Sequence, residues 1–245
     1  MPHRYFTTDI SGGTAVLSGA DAHHLAHVMR ARPGETVTLC DGKGTDYACA
    51  VRGFGPDTVE LEILSSSASV SEPGVRVTLY VGYPKQDRLE TIVQKAVELG
   101  AYAVVPVETR RCVVKLDAKK AQKKVTRWQQ ISESAAKQSK RMLIPEVKNV
   151  MNWKEALAFA KGLDVVLIPY ELAQGMKETR EILAAIQPGQ SVGIFIGPEG
   201  GFEEAEVELA KEAGFQAITL GRRILRTETA GMTVLSILMY QLEEN

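Results

Sequence analysis

No stretch of this chain approaches the roughly 20 consecutive apolar residues that a membrane-spanning helix needs. The opening Met1-Pro2-His3-Arg4-Tyr5-Phe6 also lacks the apolar run of a secretory signal. Cysteine is scarce: Cys40, Cys49 and Cys112 are odd in number and far apart, which argues against a disulfide frame and for reduced thiols. With these absences the protein is expected in the cytoplasm, away from membranes. Metal-ligand patterns are missing too. His23 and His27 are four residues apart, as helix-borne zinc ligands can be, but no nearby cysteine or carboxylate pattern completes a site, so no metal is expected. Internal repeats are absent. Without these aids, a chain of 245 residues must fold by burying a core, and at this length roughly 70–75% of the unfolded surface can be buried.

Net charge is nearly absent, at −1, yet it is unevenly distributed. Residues 1–70 hold 5 Lys/Arg against 8 Asp/Glu, residues 71–150 hold 16 against 8, and residues 151–245 hold 8 against 14. A basic middle between acidic flanks can attract phosphate even when the total is neutral, because the local field decides. On charge alone, however, a solvated helix face is the better explanation.

What is present begins with short β-rich runs at 15–17, 36–40, 47–51 and 58–64, punctuated by Gly12-Gly13, Pro33-Gly34, Asp41-Gly42 and Gly55-Pro56-Asp57. Asp21 reads as the N-cap of a helix over Ala22–Arg30. Many short strands with tight turns predict a small β-barrel. The run Ser65 to Gly74, small and polar, reads as a linker, which divides the chain into 1–70 and 71–245. Beyond it, apolar runs at about 75–82, 102–107, 164–169, 191–196 and 217–220 alternate with helical periodicity, as at Leu89, Ile92, Val93, Ala96, Val97 and Leu99. That alternation predicts a parallel sheet covered by helices on both faces. The longest helix is expected over Ala118–Arg141.

Two loops carry the chemistry. Gly197-Pro198-Glu199-Gly200-Gly201-Phe202 follows a buried-strand pattern and precedes an acidic helix. In open parallel sheets, ligands bind beyond the carboxyl ends of strands, where glycines let the main chain come close. The loop lacks the Lys-Ser/Thr ending of a triphosphate cradle and the glycine spacing of a dinucleotide site. Glutamates at the following helix start repel phosphate as well. The pattern suits a nucleoside ligand without phosphate. The second loop, Leu220-Gly221-Arg222-Arg223-Ile224-Leu225-Arg226-Thr227-Glu228-Thr229-Ala230, crowds three arginines into a turn between two buried elements, more charge than packing requires. Together the loops would wall one crevice.

Those two motifs, in this order and spacing, resemble the RsmE family of 16S rRNA (uracil-N3) methyltransferases. The resemblance extends across the chain: Arg4-Tyr5-Phe6, His23-His24 with Val28 and Arg30, Gly34 to Gly42, Gln94 to Gly100, Pro106-Val107 with Thr109 and Arg111, Trp128, Ser134 to Ser139 and Arg141. Lys137 stands where the family more often has Glu. The resemblance implies a PUA-like RNA-binding β-barrel over 1–70 and, over 71–245, a SPOUT-type α/β domain with a parallel sheet and a C-terminal trefoil knot. It implies S-adenosyl-L-methionine as cofactor, held by Pro169, Tyr170 and Glu171, by Ile196, Gly197, Pro198, Glu199 and Gly201, and by Leu220, Gly221, Ile224, Leu225, Arg226, Thr229 and Ala230. Catalysis falls to Arg226, as stabiliser of charge on the uracil, and to Glu228, which would orient Arg226 or accept the N3 proton. A buried Arg226–Glu228 pair that only shapes the loop is the structural alternative. Glu199 is expected to bond amides of its own loop. Arg4, Arg30, Arg32, Arg88, Arg111 and Arg141 are the candidates for RNA contact. The substrate implied is 16S rRNA within the small ribosomal subunit, and the active form a homodimer with the last helix as its interface. Two other readings share the fold: a SPOUT enzyme acting on another base or a ribose hydroxyl, and a non-catalytic RNA-binding protein.

Overall fold

The computed structural model describes residues 3–85, 87–114, 117–171, 173 and 175–243. These form two compact units. One runs to Glu72 and takes in Ala136–Ile144; the other comprises Pro73–Ala135 and the chain from Pro145 onward.

The first unit is built on six strands: β1 (Arg4–Phe6), β2 (Ile10–Ser11), β3 (Thr14–Ser18), β4 (Thr36–Cys40), β5 (Thr45–Phe54) and β6 (Thr58–Ala68), in the order β1-β4-β5-β6-β3-β2. All neighbours are antiparallel except β1 and β4. Alternation along the strands turns Leu17, Val37, Leu39, Val51, Val59 and Leu61 into one core with Tyr5 and Leu25. Two local expectations need correction. The helix starts earlier and is shorter: α1 (Gly19–His23) follows an extended N-cap at Ser18, so Asp21 lies in the first turn, and the chain then widens into a π-helical turn over His24–Val28. The serine-rich run is not all linker either. Ser65, Ser66 and Ser67 continue β6, pairing with Ala48, Tyr47 and Asp46, because a ladder needs main-chain groups and not apolar side chains.

In the second unit, β7 (Arg76–Gly82), α2 (Arg88–Glu98), β8 (Ala103–Glu108) and α3 (Ala118–Gln138) come first. There follow β9 (Glu146–Val147), β10 (Met151–Asn152), α4 (Trp153–Ala160), β11 (Val165–Pro169), α5 (Met176–Ala184), β12 (Ser191–Ile196), α6 (Glu204–Glu212), β13 (Gln216–Ile218) and α7 (Thr227–Leu242). The sheet order is β10-β8-β7-β12-β11-β13, with β9 on β8, and every pairing is parallel. Side-chain alternation gives it two faces. Val77, Leu79 and Val81 of β7 pack with residues of α2 and α7, while Tyr80 joins Phe195, Trp153, Phe202 and Phe215 on the other side. The apolar runs read from the sequence are these strands. β12 returns to lie between β7 and β11, and its carboxyl end opens beside those of both neighbours. Such a reversal is where open sheets bind ligands. No helix among the described residues is long and apolar enough to cross a membrane, and all three cysteines are buried and unpaired.

Candidate cofactor cleft

The loops leaving β11, β12 and β13 enclose a cleft of about 560 Å³. Every residue expected from the sequence to hold cofactor lines it, except Thr229, which is exposed on the first turn of α7. Lys85, Arg88, Phe202, Thr219, Arg222, Arg223 and Thr227 also line it. Of these, Lys85 carried no motif. Its signal lay in topology, since it follows the carboxyl end of β7, beside β12.

Close approaches of main chain hold the glycine loop, and the tightest of them, at Gly82, leaves no room for a Cβ. A Cβ on Gly197 would lie 3.2 Å from the main chain of Gly201, whose own φ is +68°. A Cβ on Gly82, at the end of β7, would fall 2.4 Å from Cδ of Pro198. The loop turns back on itself through the Gly201 N–H to Pro198 carbonyl bond of 2.8 Å. The Thr227 hydroxyl donates to the Gly197 carbonyl at 3.0 Å, tying the loop to α7. Glu199 does not bond its own loop as expected. Its Oε1 accepts from the Lys85 main-chain N–H at 3.0 Å and from Arg88 Nη1 at 3.1 Å, because the β7–α2 loop brings those donors over it. Beside Arg88, hydrogen bonding from Lys124 at 2.8 Å holds the Asp87 carboxyl below its usual range.

Arg226 is the extended N-cap residue of α7; it lines the cleft and its side chain is exposed. Glu228 is half-buried, does not line the cleft, and keeps Oε2 buried with no hydrogen-bond partner among the described residues. Among the described residues no ion pair joins the two, so the structural alternative of an Arg226–Glu228 pair is not formed: one group lines the cleft and the other is half-buried behind it.

Two of the six arginines assigned to RNA are not surface charges. Arg4 is fixed by Asp46 in a two-pronged pair at 2.8 and 2.6 Å, with its side chain 7% exposed. Arg141, 3% exposed, is paired with Glu72, which also accepts the Met142 N–H at 2.8 Å. Neutralised and buried, neither offers charge to a phosphate. Arg30 and Arg32 on the first unit are exposed, as is Arg111 on the second, while Arg88 is half-buried. Lys137, the departure from the family pattern, pairs with Asp21 at 2.6 Å. His23 and His27 do stack, with centroids 4.7 Å apart, but among the described residues no group of three or more side chains is arranged to hold a metal.

The all-parallel sheet with a cleft at its carboxyl edge, joined to a PUA-like unit, is the architecture of an RNA methyltransferase. An RNA methyltransferase domain matches residues 71–239, and an RNA methyltransferase PUA domain matches residues 17–64. Ribosomal RNA small subunit methyltransferase E from Bacillus subtilis is 37% identical over 94% of this chain and 91% of its own length. The enzyme of the same name from Mesomycoplasma hyopneumoniae is 38% identical over 96% and 97%. A crystal structure of ribosomal RNA small subunit methyltransferase E from Neisseria gonorrhoeae bound to S-adenosyl methionine superposes with a TM-score of 0.86, at 32% identity over 99% of this chain and 98% of that one. The chain belongs to the ribosomal RNA small subunit methyltransferase E family.

Proposed function

We propose that this protein transfers the methyl group of S-adenosyl-L-methionine to N3 of a specific uridine in 16S rRNA, within the small ribosomal subunit in the cytoplasm. The observation that carries the reading is the cleft, whose walls are three loops at the carboxyl ends of adjacent parallel strands. Its volume falls within the ~300–1,000 Å³ of small-molecule sites. Gly197, Gly201 and Gly221 leave main chain open to an adenine. The residues therefore fit a nucleoside. Pro169 to Glu171, Ile196 to Gly201 and Leu220 to Ala230 would hold the cofactor, which supplies an electrophilic methyl group when bound.

The protein must deal with a uracil whose N3 carries a proton at neutral pH. Arg226, which lines the cleft and makes no ion pair among the described residues, would donate to a uracil carbonyl and stabilise the charge left when that proton departs. Glu228 is the proposed acceptor of the N3 proton, and its side chain must rotate toward the cleft to reach it. Arg30, Arg32, Arg88 and Arg111 would contact RNA phosphates, with residues 1–70 reading the RNA and 71–245 carrying the chemistry and a C-terminal trefoil knot. A homodimer through α7 is supported by Ile237 and Tyr240, 40% and 94% exposed on that helix.

The test is methyl transfer from radiolabelled S-adenosyl-L-methionine to 16S rRNA, naked and in small subunits lacking the modification, with the labelled base identified after digestion. Label on N3 of one uridine is expected. Cofactor binding without label in either substrate would remove the proposed target.

A further inference from the structure

Glu206 lies outside the cleft, on α6, and is only 2% exposed. A buried carboxylate is costly unless its oxygens are hydrogen-bonded, and here both are. Oε2 accepts the N–H of Glu203 at 3.0 Å, the ordinary reach of a third helical residue back to its N-cap. Oε1 accepts the N–H of Arg110 at 2.9 Å, and Arg110 is 96 residues away in the turn that follows β8.

The same turn grips the glycine loop. Arg111 Nη1 donates to the Gly200 carbonyl at 2.8 Å, and a Cβ on Gly200 would come within 3.2 Å of the Arg111 Cβ, so turn and loop pack directly. The turn closes internally through the Cys112 N–H to Thr109 carbonyl bond of 3.1 Å. A third link, Arg110 to Glu203 at 3.2 Å, is exposed at 68% and 37% and contributes little, as surface ion pairs do. The bond from Glu206 to the Arg110 main chain ends on a carboxylate that is only 2% exposed and is the firmer of the two links between α6 and the turn.

We infer that Glu206 is a positioning residue for the cofactor cleft. It pins the Thr109–Cys112 turn, and through Arg111 the turn fixes Gly200, whose neighbours Glu199 and Gly201 line the cleft. This rests on reading the cleft as the S-adenosyl-L-methionine site.

The test is Glu206→Gln in the full-length protein, which keeps one acceptor and sets an N–H donor against the other amide. Calorimetric titration with S-adenosyl-L-methionine, well below the melting temperature, should give a Kd raised about tenfold, with KM for the cofactor raised alike and kcat at saturation nearly unchanged, the pattern of lost uniform binding. A role confined to stability would lower the melting temperature and leave Kd where it was. Arg111→Ala should also raise Kd, and the double variant should fall short of the product of the two effects, since both act through one turn. A wild-type Kd in Glu206→Gln, or effects that multiply, overturns the inference. If that variant does not fold, hydrogen exchange in the wild type decides: slow exchange at the Arg110 and Glu203 amides supports the clamp, and free exchange there overturns it. Wild-type protein that bound no cofactor would instead defeat the proposed function, with the exchange measurement still deciding whether the clamp exists.

Discussion

The hydroxyl of Thr227 donates to the carbonyl of Gly197 across 3.0 Å, joining the first residue of the last helix to a loop 30 residues earlier. Thr227 is 5% exposed, so water cannot easily replace it. Thr227→Val keeps the shape and deletes the donor. The unpaired carbonyl should cost about 1–2 kcal/mol of stability, and the freed loop should weaken S-adenosyl-L-methionine binding several-fold. Denaturant melts and calorimetry measure the two effects; unchanged affinity would mean that this bond does not position the loop.

Glu72→Ala tests the buried pair in the first unit. Arg141 would be left charged and enclosed, and the Met142 N–H would lose its acceptor. Breaking a buried pair from one side costs about 3–5 kcal/mol. Arg30→Ala, at an exposed position, should change stability by less than about 0.5 kcal/mol and instead weaken RNA binding with a shallower salt dependence. Equal destabilisation by the two substitutions would contradict the distinction between structural and RNA-facing arginines.

The contrast between those arginines shows what was legible in the sequence. Strands such as Arg76–Gly82 and Ser191–Ile196 announce themselves by local apolar runs, and the two cleft loops by glycine and arginine in short compass. Arg4 and Arg141 read as surface charges because their partners, Asp46 and Glu72, lie 42 and 69 residues away. Glu199 likewise finds Lys85 at a separation of 114 residues, where no local pattern points. The serine-rich run past Leu64 hid a strand because its ladder is made by main chain, and the π-helical turn at His24–Val28 has the same apolar spacing as a short α-helix.

Asp164 gives a pH dependence of known sign. Its carboxyl is held below the usual range chiefly by the Ser191 hydroxyl, at 2.6 Å, and then by the Ser191 N–H, at 2.7 Å. A depressed folded-state pKa contributes stability that is present above the unfolded pKa and is lost as pH falls through the folded one. Asp164→Ala should therefore melt below wild type at pH 7, and the two curves should converge under acid conditions once the wild-type carboxyl is protonated. A melting gap that persists unchanged into strong acid would show that the bonds at Ser191 do not depend on the charge.

Gly82→Ala tests whether the sheet itself sets the glycine loop. The added Cβ would meet Pro198 Cδ at 2.4 Å and Pro198 N at 2.6 Å, and the second is main chain that cannot rotate away. Either β7 or the loop must shift. Overpacking of this kind costs about 1–3 kcal/mol. Because Pro198 and Gly197 line the cleft, S-adenosyl-L-methionine affinity should fall by more than tenfold, a loss larger than the stability change alone would produce at a temperature where the variant is folded. Gly162→Ala is the matched control: a Cβ there meets nothing within 4 Å, so stability and affinity should both stay at wild-type values. Cofactor binding by Gly82→Ala at wild-type strength would show that the loop can retreat from β7 without opening the cleft, and would move the origin of its geometry to the contacts with Thr227, Lys85 and Arg111.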